Sequence, residues 1–218
     1  MRSRGLLIIG IGAIAASLLL ALGGLGAGRM TGWPIGAPGG MMGRVFGGRS
    51  GDIGVDRAVR IAQDTAASYS GGSLAADEVI EFSNNYYASI REKGTGIGAF
   101  EILIDRATGN VMREPGPDMM WNAKYSPMRG GMMGGFGTTS SRPMTVTAQQ
   151  AQEVAQRWLD ANQGGTNAKA PDSFYGFYTV DFERTGLLVG MVSVNGYTGQ
   201  VWYHSWHGTF IQLKELGA

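Results

Sequence analysis

The residues best suited to chemistry are methionines in a Gly-rich segment between two patterned halves of the chain. Thioether sulfur is a soft ligand suited to Cu(I), and a Gly-rich loop could gather several such side chains without backbone strain. The segment therefore predicts a Cu(I) or Ag(I) site. The alternative is that methionine fills irregular gaps or forms adaptable contact surfaces, which is its ordinary use. Paired Met-Met also differs from the Met-x-x-Met spacing expected of dedicated copper proteins. The candidate ligands are Met119, Met120, Met128, Met132 and Met133.

Both histidines of the chain, His204 and His207, lie in the aromatic stretch 201–208. If this stretch is a strand, successive side chains alternate between its two faces, so the two imidazoles point apart and cannot hold one metal ion. Only a bend at Ser205 would let them converge. The favoured interpretation is aromatic packing, with a histidine supplying a hydrogen bond at the end of the domain.

Four aromatic side chains are candidates for a partner-binding surface, because aromatic residues and methionine are enriched in the cores of protein interfaces. Two of them follow a Pro-Gly-Pro turn, one helical turn apart, and could instead fold back as cover for the preceding sheet. Packing is the favoured use of that pair. The four are Trp121, Tyr125, Trp202 and Trp206.

Several function classes receive no support from the sequence. It contains no carboxylate pair, nucleophile elbow or dinucleotide fingerprint, and Gly94-x-Gly96-x-Gly98 precedes a strand rather than joining a strand to a helix. The net charge of +1 gives no electrostatic case for nucleic acid. The absence of cysteine removes disulfides and thiolate zinc sites. We therefore predict a non-catalytic protein, with no cofactor unless the methionines bind copper.

The chain is organised around a stretch that occurs twice, at 100–113 and 190–203. In both copies apolar residues alternate with others, which indicates a strand with one buried face. An Asp or Asn then precedes Thr-Gly, in which the Asx side chain caps a turn and the Gly adopts a left-handed conformation. Each copy is thus a predicted β-hairpin, and Val in place of either Gly should destabilise it. The turn residues are Asp105, Gly109, Asn195 and Gly199.

Each hairpin is preceded by a predicted helix and an aromatic strand. The helices cover 52–69 and 147–162, the second with Thr147 as its N-cap. The aromatic strands are 82–90 and 174–180. One amphipathic helix on a small antiparallel meander, repeated twice, predicts the α+β class.

This order of elements, with Leu-Ile-Asp-Arg-Ala-Thr-Gly-Asn-Val at 103–111 and Val-Asn-Gly-Tyr-Thr-Gly-Gln-Val at 194–201, resembles PepSY domains. These small extracytoplasmic modules occur in propeptides of thermolysin-like metallopeptidases, in a spore-germination protein and in membrane-anchored proteins. The resemblance covers roughly 53–115 and 145–212, and it implies a binding or inhibitory module rather than a catalyst. No peptidase domain follows, since the chain has no His-Glu-x-x-His.

The N-terminal residues predict attachment to a membrane. An uncharged apolar run from Gly5 to Gly28 is long enough to span a bilayer as a helix; a cleaved signal peptide is the alternative. The predicted organisation is an anchor or signal peptide (1–28), a Gly/Met-rich stalk (29–52), a first repeat (53–117), a Met/Gly-rich connector (118–144) and a second repeat (145–218). The bulk of the chain is expected outside the cytoplasm, with a protein partner in or at the membrane.

Overall fold

A computed structural model describes residues 51–130 and 143–217. The predicted anchor, residues 29–50 of the predicted stalk, and Met132 and Met133 lie outside these ranges. Within them, none of the helices is long and apolar enough to cross a bilayer. The fold is α+β with antiparallel sheets.

The first lobe consists of one helix packed on an antiparallel sheet. Helix α1 (Val55–Ser68) buries Ala58, Ala62 and Ala66 against the sheet, because residues four apart share a helix face. The strands of this lobe are β1 (Leu74–Phe82), β2 (Tyr86–Glu92), β3 (Gly98–Ile104) and β4 (Val111–Arg113).

The predicted aromatic strand at 82–90 is interrupted in the structure. The chain reverses at 83–85, and the Phe82 N–H donates to the carbonyl of Asn85 at 2.9 Å across the reversal. Ser and Asn favour such turns because their side chains bond to nearby backbone groups. Strand β1, which ends at Phe82, has no counterpart among the predicted strands.

The second lobe repeats the arrangement after a connector that begins with a short helix, α2 (Pro117–Met120), and a 3-10 turn (Pro127–Gly130). Helix α3 (Ala148–Asn162) begins with a capping box: the Gln150 N–H donates to Thr147 Oγ1, and the Thr147 N–H donates to Gln150 Oε1. Its strands are β5 (Asn167–Ala168), β6 (Asp172–Ser173), β7 (Phe177–Arg184), β8 (Leu187–Asn195) and β9 (Val201–Tyr203).

The β3–β4 and β8–β9 turns have the same hydrogen bonds. Asp105 Oδ1 accepts from the N–H groups of Ala107 and Thr108, and Asn195 Oδ1 accepts from those of Tyr197 and Thr198. In both turns the glycine N–H donates to the Asx carbonyl at 2.9 Å. The φ angles of the two glycines are 77° at Gly109 and 71° at Gly199, in the region that favours glycine.

The prediction of one buried face per strand is wrong, because both faces are covered. Residues of one parity, such as Phe100 and Val192, pack against the helix of their own lobe. Residues of the other parity, such as Leu103 and Met191, pack against the other sheet in a shared cluster. The layers are therefore α1, first sheet, second sheet and α3. We call the layer where the two sheets meet the seam.

The last strand, β10 (Phe210–Glu215), leaves the second lobe and joins the sheet of the first. It pairs antiparallel with β1, so the sheet order is β10-β1-β2-β3-β4. Leu213 and Phe210 add apolar contacts to the seam. The crossover links the two lobes through the β10–β1 strand pairing as well as through packing.

Candidate functional site

The seam contains polar side chains that are almost completely removed from solvent. Burying polar groups is unfavourable unless partners satisfy them, so these side chains must find their partners within the protein. Its members come from strands of both sheets and from the segments that follow β4 and β9. They are Glu101, Glu114, Thr179, Ser193, His204 and His207.

Glu114, His204 and His207 converge at one point of the seam. Glu114 follows β4, and its N–H donates to the carbonyl of Glu101 at 3.0 Å. His204 Nδ1 lies 3.3 Å and His207 Nε2 lies 3.0 Å from Glu114 Oε1. One potential ligand atom from each of the three residues lies within 4.8 Å of the others. The exposed fractions are 0 % for Glu114, 3 % for His204 and 1 % for His207.

The prediction that the two imidazoles point apart is wrong. Strand β9 ends at Tyr203, and the chain turns through 204–207 instead of continuing as a strand. A turn abolishes the alternation of faces on which the prediction relied. The Trp206 carbonyl within this turn accepts from the side-chain amides of Asn84 and Asn85, which fix the turn against the first lobe.

On the side away from Glu114, each imidazole forms a hydrogen bond with a polar side chain. His207 Nδ1 lies 3.0 Å from Asn85 Oδ1, and His204 Nε2 lies 2.8 Å from Ser193 Oγ. His207 also stacks on Phe82, with ring centroids 4.4 Å apart. The rings are thus oriented by packing and by their outer nitrogens, which leaves the inner nitrogens facing Glu114.

A hydroxyl chain connects this cluster to a second buried carboxyl group. Thr179 Oγ1 lies 3.5 Å from Ser193 Oγ and donates to Glu101 Oε1 at 2.6 Å, while the Tyr87 hydroxyl donates to the same oxygen at 2.7 Å. Burial, followed by the adjacent Glu114 carboxylate, raises the pKa of Glu101 well above its ordinary value. Burial and this neighbouring charge thus both favour the protonated form of Glu101.

The charges of the cluster are set by burial and by mutual contact. Burial acts to raise the pKa of Glu114, but the neighbouring imidazoles of His204 and His207 outweigh it and hold that pKa below the ordinary range. Burial lowers the pKa of His207 despite the pull of the Glu114 carboxylate. Glu101 and Glu114 are thus adjacent carboxyl groups whose pKa values are shifted in opposite directions.

The start of the connector is fixed to the first lobe by a third buried carboxyl group, that of Asp118. Asp118 accepts from Arg113 Nε at 2.7 Å and from the Glu101 N–H at 3.3 Å. Asn122 donates to Asp118 and to the carbonyl of Ala99. Burial raises the pKa of Asp118 to about 7, against the opposing effect of Arg113. Residues 114–122 are therefore an integral part of the fold.

The four aromatic candidates occupy three places. Tyr125 packs on Phe100 of the first lobe, and its hydroxyl donates to Glu92 at 2.6 Å. Trp206 lies over the His204 ring and donates its indole N–H to Glu114 Oε1 at 3.1 Å. Trp121 and Trp202 are half-buried and form an edge-to-face pair with centroids 6.1 Å apart.

Three of the five candidate methionines fall within the described residues. Met119 is half-buried, and its carbonyl accepts from the Ser126 hydroxyl. Met120 is 38 % exposed and Met128 is 51 % exposed. Metal binding by these thioethers stays a prediction.

Sequence reasoning did not single out Glu114 or the polar residues behind the histidines. One available signal was that both histidines of the chain are three residues apart in sequence, a spacing that converges in a turn. Glu114 had no such signal, because its role depends on the pairing of the two lobes.

Comparisons with known proteins found little similarity in sequence or structure. No known family profile matches the chain, and no curated protein matches it. Among solved structures it is similar to the C-terminal domain of YpeB from Bacillus megaterium, with a TM-score of 0.25 and 11 % identity. The similarity covers 70 % of this chain and 62 % of that one.

Proposed function

We propose that this protein is a non-catalytic, membrane-anchored interaction module that acts outside the cytoplasm. In this proposal the two lobes are PepSY-like units, and the protein is an accessory subunit of a membrane complex or a regulator of an exported enzyme. The apolar run at 5–28 supplies the membrane anchor. The equivalent turns after β3 and β8 support the relationship between the two units.

A binding role is supported by the position of the titratable groups. The carboxyl and imidazole groups that converge, those of Glu101, Glu114, His204 and His207, are all at most 3 % exposed. A general acid or base must come within hydrogen-bond reach of the substrate. Groups sealed between two sheets are placed to stabilise the fold or to hold an ion, not to act on a substrate.

The observation that carries the proposal is the Trp121–Trp202 pair beside the exposed Met120. Trp202 lies against Gly116, where an added Cβ would be 3.1 Å from the indole ring. The pair therefore joins the connector to the edge of the second sheet. Half-buried tryptophans held in place by packing, next to an exposed methionine, have the composition of an interface core.

Photo-cross-linking in native membranes tests this surface. A photoreactive amino acid at position 120 is expected to give one dominant adduct with a membrane protein, and Trp202→Ala is expected to weaken that adduct at least about tenfold. The matched control is the same photoreactive group at position 187, where Leu187 is 64 % exposed. Equal adducts at 120 and 187, or no effect of Trp202→Ala, would count against the proposal.

The alternative function is soft-metal binding by the connector. The exposed thioethers of Met120 and Met128 favour it, because Cu(I) or Ag(I) could reach them without opening the fold. Under the interaction proposal, Cu(I) is expected to leave the melting temperature of the purified protein unchanged. A shift that disappears on Met→Leu changes at 119, 120, 132 and 133 would support the metal function instead.

A further inference from the structure

We propose that Glu114, His204 and His207 form a buried site for a divalent transition-metal ion of the zinc class, which holds the two lobes together. The site is separate from the connector methionines and goes beyond the proposed interaction function. Two imidazoles and one carboxylate are ligands of intermediate softness that suit Zn²⁺, and no sulfur ligand is required.

The hydrogen bonds of Asn85 determine which ring nitrogen of His207 faces Glu114. The Asn85 amide donates to the Trp206 carbonyl at 3.1 Å, so Asn85 Oδ1 must face His207 and accept a hydrogen bond. His207 Nδ1 therefore carries a proton, and in the neutral ring Nε2 is the nitrogen whose lone pair faces Glu114. This assignment follows from the network of partners.

The hydroxyl chain has the same effect on His204. Thr179 donates to Glu101 and can therefore accept from Ser193, whose oxygen then accepts from His204 Nε2. In the neutral ring, His204 Nδ1 then has its lone pair toward Glu114. Metal-bound histidines characteristically donate their other ring N–H to an outer acceptor, which fixes tautomer and orientation. Both histidines here have such an acceptor.

The inner atoms are left without hydrogen bonds. Within residues 51–130 and 143–217, His204 Nδ1, His207 Nε2 and Glu114 Oε2 are buried and have no hydrogen-bond partner. Buried polar atoms without a partner are rare in folded proteins and destabilising. The two ring nitrogens both approach Glu114 Oε1, so a cation placed there would give each of them a partner.

An internal ion pair accounts less well for the geometry. It would direct both ring N–H groups and the Trp206 indole toward a single oxygen, Glu114 Oε1, and leave Oε2 unused. It would also place two buried imidazolium rings with centroids only 5.7 Å apart. By contrast, ligand atoms around a tetrahedral Zn²⁺ lie about 3.3 Å apart, from bond lengths of about 2.0–2.1 Å. The two nitrogen–oxygen separations, 3.0 and 3.3 Å, are close to that value, and all three candidate ligand atoms lie within 4.8 Å of one another.

The ligands also explain what the ion would do. Glu114 belongs to the first lobe, and the two histidines follow β9 of the second. A bound ion would therefore cross-link the lobes at the seam, and its binding free energy would contribute to folding. Such an ion would be incorporated during folding, because the ligands are sealed from solvent.

The test uses the full chain, purified in detergent without a polyhistidine tag after growth with zinc. Since the chain has only two histidines, bound zinc that depends on them reports this site. We expect about one zinc per chain by elemental analysis after a chelator wash, and at least about a tenfold loss in Glu114→Gln and in His207→Gln. The matched control is Glu153→Gln, an exposed carboxylate on α3, which should retain the zinc.

A second measurement covers the case in which a variant does not fold. Wild-type protein refolded with Co²⁺ is expected to show the visible ligand-field bands of a tetrahedral nitrogen–oxygen site, and refolding with Zn²⁺ is expected to raise its melting temperature. The proposal is overturned if wild-type protein binds neither ion and its melting temperature does not change. It is equally overturned if folded Glu114→Gln and His207→Gln variants retain zinc as the wild type does. Neither result would bear on the Trp121–Trp202 surface.

Discussion

Replacement of Glu78 by Gln is expected to stabilise the protein at neutral and alkaline pH and to have almost no effect near pH 4. Glu78 lies on β1, where Ser89 is its partner on β2. Burial is the main reason that its pKa is raised to about 8, and nearby carboxylates add to the effect. Those carboxylates are Asp181, Asp172, Glu215 and Asp77.

The nearby cations contact other carboxylates of this group. Arg91 contacts Asp77 at 2.5 Å and Asp172 at 2.9 Å, while Lys169 lies 3.7 Å from Asp181. Glu78 therefore lies among acidic groups, and the burial of its side chain on β1 also opposes its ionisation. In the unfolded chain, its carboxyl group returns to an ordinary pKa of 4.5.

The sign and size of the effect follow from these two pKa values. Below about pH 4 the carboxyl group is protonated in both states, so it contributes no pH dependence. Between pH 4.5 and about pH 8 the unfolded chain releases a proton that the folded chain retains, and folding becomes less favourable as pH rises. At 1.36 kcal/mol per pKa unit, the loss reaches about 4 kcal/mol at pH 8.

Urea unfolding from pH 4 to pH 8.5 measures this directly. Glu78→Gln keeps the shape of the neutral side chain, so its free energy of unfolding should exceed that of the wild type by an amount that grows from near zero to about 4 kcal/mol. The control, Glu153→Gln on the exposed face of α3, should stay within about 0.5 kcal/mol at every pH. A pH-independent difference, or a less stable Glu78→Gln at pH 8, would refute the argument.

Three further predictions concern the repeats and their connector. Gly109→Ala and Gly199→Ala should each lower the free energy of unfolding by about 1–2 kcal/mol, because both sites have positive φ. The loss should be larger at position 109, where the new Cβ would lie 2.9 Å from Ile61 Cδ1. Equal losses in urea unfolding would contradict this prediction. Thr147→Ala should cost about 1 kcal/mol through loss of the capping box, and an unchanged urea midpoint would show that the cap does not stabilise α3. Gly176→Ala should lower the melting temperature strongly, because φ is 101° and the added Cβ would lie 2.3 Å from the Trp121 carbonyl oxygen. If the variant melts at the same temperature as the wild type, the connector does not pack against Gly176.

Local sequence patterns account for several elements of the fold. The Asx–Thr–Gly signature predicts the two turns because the Asx side chain and the glycine act within six residues of each other. The start of α3 follows from Thr147 and its neighbours for the same reason. These interactions are short-range, so each copy of the pattern carries its own structural information.

The convergence of the two histidines was not predicted, because it depends on where strand β9 ends. Alternation along 201–208 would separate His204 and His207 by face, but β9 ends at Tyr203. The turn that follows is held by Asn84 and Asn85, more than 120 residues earlier in the chain. No local pattern in the aromatic stretch encodes a contact with those two side chains.

The sequence by itself determined the duplicated hairpin, the helix that precedes each copy, and which residues of a strand share a face. Tertiary structure alone decided that the second face of each sheet is also buried, that β10 joins the sheet of the first lobe, and that Glu114 meets both histidines. The physical reason lies in the polar residues of that second face. Glu101 and Ser193 resemble solvent-facing positions in sequence, and they can be buried only because the opposite lobe supplies hydrogen-bonding partners.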